Sequence, residues 1–365
     1  MTQSAPHARR VLRLSFQGLG FVVGLLLLGW CVRAALSAEN REQLAKLRDA
    51  DPGQIGVLFA LSAATLAING LIFWATLRPV RKLRALDVLA TNALCTFLAY
   101  LPFKLGAVTR VAIHNRRDRV PLLTIGAWFG AMLVVMLAAY VPATGASLWR
   151  RGVDAAWWIT GLGGAAMLAA LAVAGARPLA GERGVARLHR ALGGARMPLL
   201  AALARSERFA QLHAGAAMLA SPKAVAACTL LRLVDVGALA ARFVVAGAIV
   251  GIAFGWEEAV LVASAYYLIG VVSPFGVLGA REAGTVWMAG ALALGATSGQ
   301  SADAVARSLT VLTLFITGAE SVVLLAGAAA GTAWLRPDRL LRRPDQLTAG
   351  SAGRAEDETV TKNQA

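Results

Sequence analysis

Ser273-Pro274-Phe275-Gly276-Val277-Leu278-Gly279-Ala280-Arg281-Glu282-Ala283 sets a proline, two glycines and an adjacent Arg and Glu between two apolar segments. Proline removes a backbone donor and glycine relaxes the chain, so a helix breaks here. The neighbouring segments are apolar enough for lipid. There, non-helical backbone survives only where protein or a water-filled cavity satisfies it, and an ionisable residue at that depth marks a candidate functional site.

Composition agrees with a membrane setting. Hydrophobic residues make up 58% of the 365-residue chain and charged residues 15%, and the mean hydropathy is +0.63, a balance that points to a polytopic membrane protein rather than a soluble domain. The formal charge of +16 does not imply nucleic acid, because the Lys and Arg fall in short clusters between apolar runs. That arrangement is a topology signal, and such clusters attract anionic headgroups. Cys31, Cys95 and Cys228 lie in apolar segments without a CxxC, and the four histidines are scattered. No metal site or cofactor is expected.

Working outward from the broken stretch, six apolar runs reach the ~20 residues a bilayer demands: Phe16 to Leu36, Ile55 to Leu77, Pro121 to Val141, Val153 to Ala176, Ala224 to Phe254 and Ala304 to Trp334. The first is preceded by Arg9, Arg10 and Arg13 and reads as an uncleaved span. Two further regions, Leu86 to Ile113 and Ala259 to Ala296, are too long for one span and split at a proline into pieces of re-entrant length.

Positive-inside bookkeeping puts the N-terminal cluster, Arg78 to Arg84, Arg116 to Arg119, a basic connector over 177–223 and the basic C-terminal residues on the cytoplasmic face. Leu86 to Ile113 then starts and ends inside, and Ala259 to Ala296 starts and ends outside, as two thin spans or as a hairpin. The expected fold is an all-α polytopic integral membrane protein with about six full spans and two oppositely oriented broken hairpins, the pattern of an inverted repeat with its site at the midplane. The membrane domain covers 1–335. Within the connector, Arg183, Arg187, Arg190 and Arg196 interleave with apolar residues as in a basic surface helix. A basic, then polar and disordered, tail covers 336–365.

The candidate site residues follow from charge at depth. Pro102 and Gly106 break the first hairpin beside Lys104 and Arg110, a combination suited to a phosphate, although both side chains could instead snorkel to the surface. Pro274, Gly276 and Gly279 break the second beside Arg281 and Glu282. Arg232 and Asp235, at i, i+3 spacing, form either a structural bridge or part of a substrate site. Glu320, alone in the last span, calls for a cation from another helix, with Arg232 or Arg281 as candidates. No nucleophile elbow, Walker loop or acidic metal cluster is present.

Two motifs carry a family resemblance. Leu101-Pro102-Phe103-Lys104-Leu105-Gly106-Ala107-Val108-Thr109-Arg110 and Pro274-Phe275-Gly276-Val277-Leu278-Gly279-Ala280-Arg281-Glu282-Ala283 resemble the Leu-Pro-x-Arg-x-Gly-Glu-x-x-Arg and Pro-x-Gly-x-Gly-x-x-Glu-Ala patterns of the flippase-like membrane domain of lysylphosphatidylglycerol synthases. Stand-alone relatives of that family are linked to hopanoid and glycolipid pathways. Lys104 stands where the pattern has Arg, and Ala107 where it has Glu. The resemblance implies a translocase rather than an enzyme, moving an amphipathic membrane lipid of anionic or isoprenoid type across a bacterial-type inner membrane, with Lys104, Arg110 and Arg281 on the headgroup. The alternatives are an accessory subunit of a lipid-modifying enzyme and a membrane-embedded transferase using Asp235, Glu282 or Glu320 as base.

Overall fold

The computed structural model describes residues 5–101, 104–150, 152–194, 206–273, 278–292, 294 and 302–336. Pro102, Pro274 and Gly276, and the expected tail beyond Arg336, lie outside the described residues. Every regular element described is helical. The helices are α1 (Ala5–Ala35), α2 (Arg41–Arg48), α3 (Pro52–Leu77), α4 (Ala85–Leu98), α5 (Leu105–Arg116), α6 (Leu122–Trp149) and α7 (Ala155–Leu179). There follow α8 (Gly181–Gly194), α9 (Glu207–Ala220), α10 (Pro222–Val250), α11 (Trp256–Val272), α12 (Ala280–Ala291) and α13 (Ala302–Leu335).

Five of these, α3, α6, α7, α10 and α13, are long and apolar enough to cross a bilayer. The end of α1 bends by 59° into the segment Ala38–Arg48, and the count rises to six if that bent pair is taken as one span. The chain is an all-α polytopic membrane protein.

The two remaining apolar regions form hairpins. α4 and α5 measure about 21 Å and 18 Å at 1.5 Å per residue, and α11 and α12 about 26 Å and 18 Å, all short of a ~30 Å hydrocarbon core. Asp87 near the start of α4 pairs with Arg117 just past α5, at 2.8 Å, so the first hairpin returns to the end from which it came. That end also holds the close of α13, where the Trp334 indole donates to Asp87 at 2.8 Å. α9 from the connector sits there too, with Thr124 donating to the Gln211 carbonyl at 3.1 Å. The opposite end collects Glu39 and Arg307 at 3.7 Å, and Gln43 and Ser308 at 3.4 Å.

Among the described residues, the basic connectors holding Arg81 and Arg117 therefore meet at one end, with α9 and the close of α13. α10 runs to the far end and α13 starts from it, and α11 and α12, both shorter than the hydrocarbon core, turn back beside the tip of the first hairpin, as a second hairpin of opposite entry. The tips meet: Arg281 of the second donates to the Tyr100 hydroxyl of the first at 2.8 Å.

Two glycines permit this. A Cβ on Gly106 would lie 2.1 Å from the Cys95 carbonyl oxygen, so α5 can lie on α4 only with glycine there. Gly279 has φ +81°, and a Cβ would lie 1.9 Å from the Gly24 carbonyl of α1. It is backbone that glycine alone adopts cheaply.

Residues Ala259 to Tyr266 of α11 are buried without interruption, the signature of a helix surrounded by protein. They pack with Tyr140 of α6, Phe243 of α10 and Leu309 and Leu312 of α13. In lipid such contacts hold by close packing rather than by escape from water. The first half of α11 is thus part of the core.

Candidate functional site

A cavity of about 410 Å³ lies where the hairpin tips meet α3, α10 and α13. Of the residues singled out in the sequence, Lys104, Gly106, Arg110, Asp235, Arg281 and Glu320 line it. Arg232 and Glu282 do not line it and support residues that do.

The upper part is a compensated ion network. Glu320 accepts from Arg242 at 2.9 Å and lies 3.4 Å from Arg281. The Arg281 guanidinium also reaches Glu282 at 3.4 Å and lies 3.9 Å over the Tyr266 ring, a cation–π contact that gains from desolvation. Tyr266 donates to Glu320 at 3.3 Å. Two arginines face two carboxylates, so this group carries no net charge.

Glu282 is fully committed. One carboxylate oxygen accepts from the Gly279 backbone N–H at 2.7 Å, closing the first turn of α12. The other accepts from Thr317 at 2.6 Å. Its place in the fold is to cap a helix and hold Arg281, not to face a ligand. The cation sought for Glu320 is Arg242 together with Arg281. Arg232, the other candidate, is held instead by Asp235 at 2.6 Å and by the Asn69 side-chain oxygen at 3.0 Å. That is the structural bridge the i, i+3 spacing suggested, though Asp235 also lines the cavity.

The lower part is different. Arg110 is 5% exposed, so it does not snorkel. It donates to the neutral Asn92 side chain at 2.7 Å and lies 3.8 Å over the Phe73 ring. Its Nη1 has no hydrogen-bond partner among the described residues, and no carboxylate pairs with it there. Lys104 caps α5 in a left-handed conformation, φ 51°, and is exposed. Its ammonium enters no ion pair among the described residues. Four buried arginines, Arg110, Arg232, Arg242 and Arg281, therefore face three carboxylates, Asp235, Glu282 and Glu320, and Lys104 adds a further cation.

Sequence reasoning missed several cavity residues. Arg242 is visible in the sequence about two turns beyond Asp235, but nothing local names it as the partner of Glu320. Tyr266, Tyr267, Asn69 and Asn92 line the cavity without a local charge or motif to mark them. Tyr100, which directly precedes the first motif, lines the cavity as well. No protein-family model, curated protein or solved structure matches this chain.

Proposed function

We propose that this protein moves an amphipathic membrane lipid with an anionic headgroup between leaflets, the headgroup passing through the cavity between the hairpin tips. The observation that carries this reading is Arg110, a guanidinium buried at membrane depth beside a cavity, with a neutral amide and a ring as its described partners. An ionised group in lipid is costly, about 2.5–3.5 kcal/mol on insertion scales, and a fold that keeps one unmatched next to a cavity is suited to an anion that matches it. Hairpins entering from opposite faces give the headgroup one approach from each leaflet.

The basic end is placed in the cytoplasm by the positive-inside rule, with both termini there, in a bacterial-type inner membrane. Translocation rather than covalent chemistry suits the carboxylates, since Asp235, Glu282 and Glu320 are each engaged by an arginine and poorly placed to act as a base. The two motifs support the same reading through their resemblance to the flippase-like domain. An accessory role is favoured by a separate feature, the exposed Arg183, Arg187 and Arg190 on α8, which offer a surface to a lipid-modifying enzyme.

The test is translocation of a fluorescent anionic lipid in vesicles containing the purified full chain, compared with Arg110→Gln. The expected result is transport by the wild type and loss of about tenfold or more in the variant, with an unchanged melting temperature. Vesicles in which the wild type moves no lipid would transfer the reading to the accessory role.

A further inference from the structure

The charge balance narrows the headgroup. Arg242 and Arg281 are matched by Glu282 and Glu320, and Arg232 by Asp235. Among the described residues lining the cavity, what remains are two cations, Lys104 at the N-cap of α5 and Arg110 within it. Gly106 and Ala107, in the first turn of the same helix, line it as well. A helix N-terminus presents backbone N–H groups and a partial positive charge, and it is the ordinary protein seat for phosphate. Arg110, buried and with its Nη1 lacking a partner among the described residues, is the independent sign that this N-terminus faces a ligand.

Two unmatched cations and a helix N-terminus suit a group that concentrates charge on one centre. A phosphate monoester carries about −1.5 to −2 at neutral pH, whereas a phosphodiester brings one negative charge, and a zwitterionic or aminoacylated headgroup brings a cation that Lys104 and Arg110 would repel. The rim points to a lipid as the carrier. Val271 lines the cavity and is 45% exposed, and the neighbouring Val272 is 74% exposed, apolar surface suited to acyl chains rather than to a soluble ion.

We infer that the cavity selects a lipid bearing a terminal phosphate monoester, held by Lys104, Arg110 and the N-terminal amides of α5. This rests on the translocation reading and sharpens its substrate class.

The experiment uses the full chain in nanodiscs of zwitterionic lipid, with chain-matched phosphatidic acid, phosphatidylglycerol and phosphatidylcholine probes and inorganic phosphate as competitor. Phosphatidic acid should bind about tenfold or more tighter than phosphatidylglycerol, with phosphatidylcholine weakest and inorganic phosphate a poor competitor. Arg110→Gln should erase the preference. Lys104→Gln, at an exposed position that cannot threaten folding, should reduce it several-fold. Equal binding of the two anionic lipids, or a preference undiminished in Lys104→Gln, would overturn the monoester assignment while leaving translocation standing. Inorganic phosphate competing as well as phosphatidic acid would overturn the lipid carrier, and binding of none of the probes would remove both readings.

Discussion

The two hairpins are alike in length and opposite in entry, and they treat charge in opposite ways. In the α11–α12 hairpin Arg281 and Glu282 are buried and tied to Glu320, Thr317, Tyr266 and Tyr100. In the α4–α5 hairpin Arg110 holds a neutral asparagine and Lys104 stands exposed. A charge matched within the fold secures the fold, and a charge left unmatched is available to a ligand. The second hairpin therefore reads as a lock and the first as a reader.

The sharpest way to break that comparison is at Glu320. Glu320→Ala leaves Arg242 and Arg281 with one carboxylate between them, and breaking a buried pair from one side costs about 3–5 kcal/mol. Thermal unfolding of the detergent-solubilised chain should show a large fall in melting temperature, and an unchanged one would mean the network is not holding the tips. Glu282→Ala should come next, at about 2–3 kcal/mol, because it strips a cap and leaves buried donors unmatched. Combining Glu282→Gln with Arg281→Gln should cost less than the two single changes together, since the partners share one interaction. Additive losses would show that they act separately.

The geometry of entry has its own test. Cysteines replacing Asp87 and Arg117 should label from the same face, opposite to cysteines replacing Gln43 and Ser308. A smaller effect is expected at the base of the first hairpin, where Asp87→Asn weakens partly exposed bonds to Arg117 and Trp334. About 1 kcal/mol of stability should be lost, with transport retained.

Much of this fold was legible in the sequence because lipid imposes simple rules. Span length, proline and glycine breaks and basic connectors predicted spans close to α3, α7, α10 and α13 at their bounds, whereas α6 continues through Pro142 to Trp149, past the expected end at Val141. Charges at the ends of the two broken regions pointed to the first hairpin and left the second open between a hairpin and two thin spans. The site was legible only in outline. Lys104, Arg110, Arg281 and Glu320 stand out as charges in apolar surroundings, but which carboxylate meets which arginine depends on helix rotation. Arg242 and Glu320 are 78 residues apart, and no local spacing encodes that meeting. Glu282 looked like a ligand group because nothing in the sequence reveals that Gly279 adopts a positive φ and needs its N–H capped. Tyr100 and Tyr266 were hidden for a related reason: a tyrosine in an apolar run looks like core until its hydroxyl has a partner.

The most direct test of the lock-and-reader account is to make Arg110→Gln and Arg281→Gln side by side in the full chain, and to measure melting temperature and co-purifying lipid for each. The account predicts that Arg110→Gln melts like the wild type yet loses a lipid enriched in it, while Arg281→Gln melts well below both. An Arg110→Gln protein that keeps the wild-type lipid, or an Arg281→Gln protein as stable as the wild type, would contradict it.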